Sequence, residues 1–178
     1  MIIIPGWLVS LITFPGVIVH EAAHMFFCKL RGVAVLDVCF FRIGNPAGYV
    51  IHEPPREFTT SFFISIGPFL INSVLCVVFC LPAMVPVRVF GQSDPVAYFL
   101  IWLGMSIGMH ALPSTGDANG LWREARAAAG SLHPLALASF PLVILIYVAN
   151  GLRFFWFDYL YGFALGFLLP EMLLKRMV

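Results

Sequence analysis

Apolar residues along this chain fall in long runs separated by short polar stretches. Five runs, residues 3–28, 58–81, 96–112, 134–150 and 154–174, approach or exceed the roughly 20 helical residues that cross a hydrocarbon core of about 30 Å. The third and fourth are short, and flanking Asp94-Pro95 and Ser131-Leu132-His133 extend them. Pro15-Gly16 predicts a bend within the first. Between the first two runs the pattern changes. Residues 33–41 and 49–52 are β-branched and aromatic, and Gly44-Asn45-Pro46-Ala47-Gly48 between them is a strong turn cluster. The pattern predicts an all-α polytopic membrane protein of about five transmembrane helices, with a β-hairpin (residues 33–53) inserted between the first and second.

Composition agrees. Charged residues make up 11% of the 178-residue chain and hydrophobic ones 61%; soluble domains carry roughly 25% charge, so this chain belongs in a bilayer. Its length fits one integral membrane domain, 1–178, read as a core of three helices plus hairpin over 1–120 and two C-terminal helices over 121–178. A formal net charge of +1 without a basic cluster excludes a nucleic-acid partner and leaves the lipid bilayer as the surroundings. Cys28, Cys39, Cys76 and Cys80 lack metal-type spacing and read as small hydrophobes. The first run has no basic n-region and no small-residue cleavage site, so a removed signal peptide is not expected.

Alternation of five spans puts Lys29, Arg31, Arg42, Arg56, Arg123, Arg126, Lys175 and Arg176 on one side, with Arg88 and Arg153 on the other. The positive-inside rule makes the rich side cytoplasmic, with the N-terminus outside and the C-terminus cytoplasmic.

Within the first run the only ionisable side chains before Lys29 are those of His20-Glu21-Ala22-Ala23-His24. Residues four apart share a helix face, so both imidazoles can hold one metal while the Glu21 carboxylate faces its water. Each charge near a bilayer centre costs roughly 2.5–3.5 kcal/mol on insertion scales, so three ionisable groups there call for a function. At about 1.5 Å per residue, His24 lies roughly 7 Å and His20 roughly 13 Å inside the Lys29 end. The site is expected to face the cytoplasm.

A hydrolytic zinc site needs a third protein ligand. Asp117 follows the third run in Pro113-Ser114-Thr115-Gly116-Asp117, where Pro113 and Gly116 break the helix near the level of the motif. His110, an intramembrane imidazole, is an alternative ligand or a group orienting Asp117. Glu124 reads as a solvated helix charge, and His52 and His133 as interfacial histidines. Asn72, after Gly67-Pro68, reads as an intramembrane amide that bonds across helices. An open sheet edge cannot face lipid, so the hairpin belongs at the interface or in a protein-lined cavity. There Tyr49, Val50 and Ile51 either pair with an extended substrate or form a plain connector.

Taken in order, His20-Glu21-Ala22-Ala23-His24, the hairpin, Gly67-Pro68 with Asn72, and Asp117 resemble the site-2 protease family of intramembrane zinc metalloproteases, in a minimal form without PDZ-like or nucleotide-sensing domains. The likeness covers about the first two-thirds of the chain, although Ser114-Thr115-Gly116-Asp117-Ala118-Asn119-Gly120 departs from the family's usual Asn-Pro-Asp-Gly. It implies His20, His24 and Asp117 as Zn2+ ligands, Glu21 as the catalytic base and Asn72 as a polar helper that contacts substrate. The expected activity is hydrolysis of peptide bonds in transmembrane protein substrates, controlled by substrate availability, prior trimming or a regulatory partner protein. Two other classes fit the residues: a catalytically silent zinc-binding adaptor or sensor, and a zinc hydrolase of lipid-like substrates. Zinc transport is disfavoured because ionisable residues cluster at one end of the bundle.

Overall fold

The computed structural model describes residues 6–130 and 132–176; the expected start of the first span at Ile3 and the flanking Ser131 lie outside them. Helix α1 (Gly6–Ile12) and helix α2 (Phe14–Leu30) are followed by strands β1 (Val35–Cys39) and β2 (Tyr49–His52). Then come α3 (Phe58–Met84), prolonged by a π-helical turn Val85–Val89, α4 (Pro95–Met109), α5 (Thr115–Ala129) and α6 (Pro134–Leu152). After a 3-10 turn Arg153–Phe155, α7 (Phe157–Phe163) continues through a π turn (Ala164–Leu168) into α8 (Leu169–Leu174).

Each of the five apolar runs is mainly helical over its described residues, but not all give helices long and apolar enough to cross a membrane. Phe58–Val89, Pro134–Phe155 and Phe157–Leu174 are long and apolar enough to cross a membrane. The first run is broken: α1 and α2 meet at 86°, so they count as a fourth span only if the bent pair is taken as one. The break falls at Thr13, two residues before the expected Pro15. Pro15 has no N–H to donate to the Leu11 carbonyl of α1, and the Thr13 N–H and hydroxyl both donate to the Val9 carbonyl, at 2.9 and 2.8 Å. Helix α4 has 15 residues, about 22 Å, and is short for a span. It starts where expected, with Asp94 capping Val96 N–H at 2.9 Å. It stops at Met109 because the His110 and Ala111 N–H groups turn back to Ile107 and Gly108, both at 3.2 Å.

Two close approaches position α2. A Cβ on Gly16 would lie 1.9 Å from the Ser106 carbonyl oxygen, so α2 and α4 cross backbone to backbone. A Cβ on Gly67 would lie 2.1 Å from the Phe27 ring, so α3 admits that ring one turn beyond His24. The hairpin pairs antiparallel, Cys39 with Tyr49 and Val35 with His52, with a bulge between Val35 and Asp37 that leaves Leu36 over.

Helix α5 is amphipathic and belongs to no apolar run. Its Ala118, Leu121 and Ala125 pack with Phe58 and Ile66 of α3 and with Ala136, Val143 and Ile146 of α6. It straddles residue 120, where the sequence suggested a division between core and C-terminal helices.

Contacts along α3 give the direction of the last helices. His133, before α6, stacks edge-on to Phe58 at 5.7 Å between centroids. Tyr161 of α7 bonds Ser73 at 2.7 Å, and Glu171 of α8 pairs with Arg88 at 3.3 Å. Helices α7 and α8 therefore run in the same sense as α3 and end beside Arg88. Lys175, 3.1 Å from the same Glu171, sits with Arg88 at one end of the bundle, which corrects the expected placement of these two cations on opposite sides. Arg153, expected among the sparse charges of a membrane face, instead turns inward to donate to the Leu112 and Pro113 carbonyls at 3.2 and 3.4 Å. The cause is common to both: carbonyls past the broken end of α4 have no helical partner and draw in the α6–α7 junction, so the chain does not reverse there in a tight helical hairpin.

This arrangement predicts labelling. In a background with the four cysteines replaced by alanine, Arg88→Cys and Lys175→Cys should react with a membrane-impermeant maleimide from the same side, and Arg31→Cys from the other. Reaction of Lys175→Cys from the Arg31 side would restore the five-span alternation.

Candidate metal centre

His20 and His24 lie one turn apart on α2, with ring centroids 4.9 Å apart. Each ring is held through Nδ1 by a backbone oxygen: His20 by the His110 carbonyl at 2.6 Å, His24 by the Ile64 carbonyl at 2.9 Å. A carbonyl only accepts, so both Nδ1 atoms carry the proton and both Nε2 lone pairs are free for a metal. Asp117 completes the group. Its Oδ1 lies 3.5 Å from His24 Nε2, and one donor atom from each of the three residues lies within 4.8 Å of the others.

Asp117 reaches this position because it opens α5. Ser114 is the N-cap and Asp117 the third helical residue of a reciprocal capping box. Asp117 Oδ2 accepts from Ser114 N–H at 2.8 Å and from the Ser114 hydroxyl at 2.7 Å, while Asp117 N–H donates back to Ser114 Oγ at 3.1 Å. One carboxylate oxygen is thus tied to the helix start and the other faces the imidazoles. The loop before it is held by the C-terminal helices. Asn150 donates to the Pro113 carbonyl at 3.2 Å and accepts from the Thr115 hydroxyl at 3.1 Å. Arg153 grips Leu112 and Pro113, and its Nε pairs with Asp158 at 2.8 Å.

The group opens into a cavity of about 1330 Å³ walled by α1, α2, the hairpin turn, the Leu112–Asp117 segment and Arg153, Asp158 and Tyr159. Glu21 lies on its wall and is buried. Gly48, the residue before β2, packs directly on it: a Cβ there would lie 2.7 Å from Glu21 Cγ. Tyr49 and Val50 also line the cavity, whereas Ile51 is about half exposed and does not. The Tyr49 hydroxyl donates to Asp37 at 3.0 Å, and that carboxylate holds the phenol above its ordinary pKa. His52 reaches the cavity with its ring bonded to the Glu53 carbonyl at 2.8 Å, and His133 caps α6.

Two residues sit differently from the sequence reading. The His110 ring is turned to the helix break, where its Nε2 donates to Thr13 Oγ1 at 2.8 Å, since the threonine proton is used on Val9. It is outside the metal-capable group, and the contribution of His110 to that group is its carbonyl. Asn72 is fully buried and does not line the cavity. Its amide nitrogen donates to the Ile107 and His110 carbonyls, both at 3.2 Å, and more distantly to the Gly16 carbonyl at 3.5 Å. It ties α3 to the end of α4 behind His20. Ser114, Asn150 and Arg153 escaped the sequence reading. The Ser114-x-x-Asp117 spacing was a usable signal, but Asn150 and Arg153 had none beyond their polarity in apolar surroundings.

Fold and site together define a helical protein with three to four helices fit to cross a membrane and a buried His-His-Asp group able to hold a metal ion. No protein-family model, curated protein or solved structure matches the chain.

Removing a support should be felt at the metal. Ser114→Ala is expected to weaken metal binding by about 10- to 100-fold in a chelator competition, because orienting partners of ligands carry that much affinity. Asn72→Leu removes a second donor from the Ile107 and His110 carbonyls, which keep the His110 N–H and His20 Nδ1, and should cost about 0.5–1.5 kcal/mol in stability, read from the unfolding midpoint in detergent.

Proposed function

We propose that the chain is an intramembrane zinc metalloprotease of the site-2 type. The observation that carries the reading is the joint placement of His20, His24 and Asp117 as a three-ligand set with the Glu21 carboxylate on the same cavity wall. The donor set fits zinc: two imidazoles with Nε2 free and one carboxylate, which leaves a coordination position open as catalytic rather than structural sites do. Bound zinc would supply Lewis acidity, polarising a peptide carbonyl and making water acidic near neutral pH.

The chain's own residues then have separable roles. Glu21 takes a proton from the attacking water and passes it to the leaving nitrogen. Its burial against Gly48 keeps it apart from bulk solvent. Tyr49 and Val50 offer strand backbone at the cavity wall, where an unwound substrate segment can pair by main-chain hydrogen bonds. Unwinding is required because helical carbonyls are occupied by their own N–H groups. Asn72 acts by holding the end of α4. Lys29, Arg31, Arg42 and Arg56 flank the α2 end that bears the motif and the start of α3, which orients that end to the cytoplasm.

The test is zinc content together with cleavage of a transmembrane peptide by the full chain in detergent. One zinc per chain is expected in the wild type and in Glu21→Gln, with cleavage lost in the variant, and Asp117→Ala should lose both metal and cleavage. Wild-type turnover by Glu21→Gln would remove the mechanism, and zinc without cleavage in the wild type would favour a silent binder.

A further inference from the structure

We propose that Pro68 is a positioning residue for the metal centre: lacking an N–H, it reserves the Ile64 carbonyl for the Nδ1 proton of His24. In an uninterrupted α-helix the carbonyl of residue 64 accepts from the N–H of residue 68. Pro68 has no such proton, so within α3 the Ile64 oxygen lacks its helical partner. In a membrane interior no solvent replaces it, and a carbonyl left without a donor there costs several kcal/mol. His24 Nδ1 fills the gap at 2.9 Å, although 40 residues away in sequence.

Three features make the pairing specific. Pro68 is fully buried, so the freed carbonyl lies inside the bundle. Gly67 beside it admits the Phe27 ring, which brings α2 to the distance the hydrogen bond requires. The bond also settles the chemistry of the ring: with Nδ1 protonated, the Nε2 lone pair is directed to the Asp117 side, where Oδ1 lies at 3.5 Å. A residue in another helix, one that touches neither metal nor substrate, thereby sets the tautomer and orientation of a ligand. The inference rests on the metal-binding part of the reading above and is independent of proteolysis.

The test uses the full chain in detergent as wild type, Pro68→Ala and Pro141→Ala. The last restores the corresponding N–H in α6, where the freed carbonyl bonds no histidine. Nitrogen-15 chemical shifts of labelled imidazoles in the metal-free protein report the His24 tautomer, and chelator competition reports Zn2+ affinity. The wild type should show His24 protonated at Nδ1. Pro68→Ala should lose that preference and bind Zn2+ about 10- to 100-fold more weakly, with a melting temperature no lower than the wild type's because the helix regains a hydrogen bond. Pro141→Ala should bind as the wild type does. Wild-type tautomer and affinity in Pro68→Ala, or an equal loss in Pro141→Ala, would overturn the proposal. So would a wild-type His24 protonated at Nε2, which needs no variant to fold. Absence of Zn2+ uptake by the wild type would instead strike the metal reading, with the tautomer still deciding the role of Pro68.

Discussion

Carbonyl oxygens that a broken helix leaves without an N–H partner must find donors inside the bundle, and the rest of this structure is arranged around that need. Two breaks matter: Pro68 in α3 frees Ile64, and the end of α4 at Met109 frees His110 and the residues beyond it. The donors are His24 for the first, and His20 with Asn72 for the second. Water answers such a need in a soluble protein. Here the same hydrogen bonds that relieve the breaks also orient two imidazoles toward a common point.

The same requirement gives the C-terminal helices a purpose that their composition does not suggest. Arg153 and Asn150 donate to the Leu112 and Pro113 carbonyls, and in doing so hold the turn from which Asp117 starts α5. The Arg153–Asp158 pair keeps the guanidinium's charge compensated beside the cavity. Drawing α6 in at this level sends α7 and α8 along the far half of α3 to Arg88, so the local satisfaction of carbonyls decides the course of the last helices.

Glycine has a narrower part, as clearance. Gly16 lets α2 touch α4, Gly67 lets Phe27 approach α3, and Gly48 lets the hairpin rest on Glu21. Each contact brings one functional side chain within hydrogen-bonding or van der Waals reach of an element distant in sequence. A methyl group at Gly16 or Gly48 would push apart surfaces whose separation sets where the motif lies.

Much of this protein was legible in its sequence because some signals are local. Apolar run length showed helices fit for a membrane, the turn cluster at residues 44–48 showed the hairpin, and the four-residue spacing of His20 and His24 put both rings on one face. Pro113 marked the break ahead of Asp117, whereas Gly116, expected to help break the helix, lies inside α5. Tertiary structure alone decided what depends on partners remote in sequence. The 86° break at Thr13 is completed by His110; the burial of Asn72 follows from carbonyls of α4; and the course of α7 follows from Ser73 and Arg88. Run length and spacing record what a segment can do by itself. Which carbonyl lacks a donor, and which distant side chain supplies it, exists only once the helices have packed.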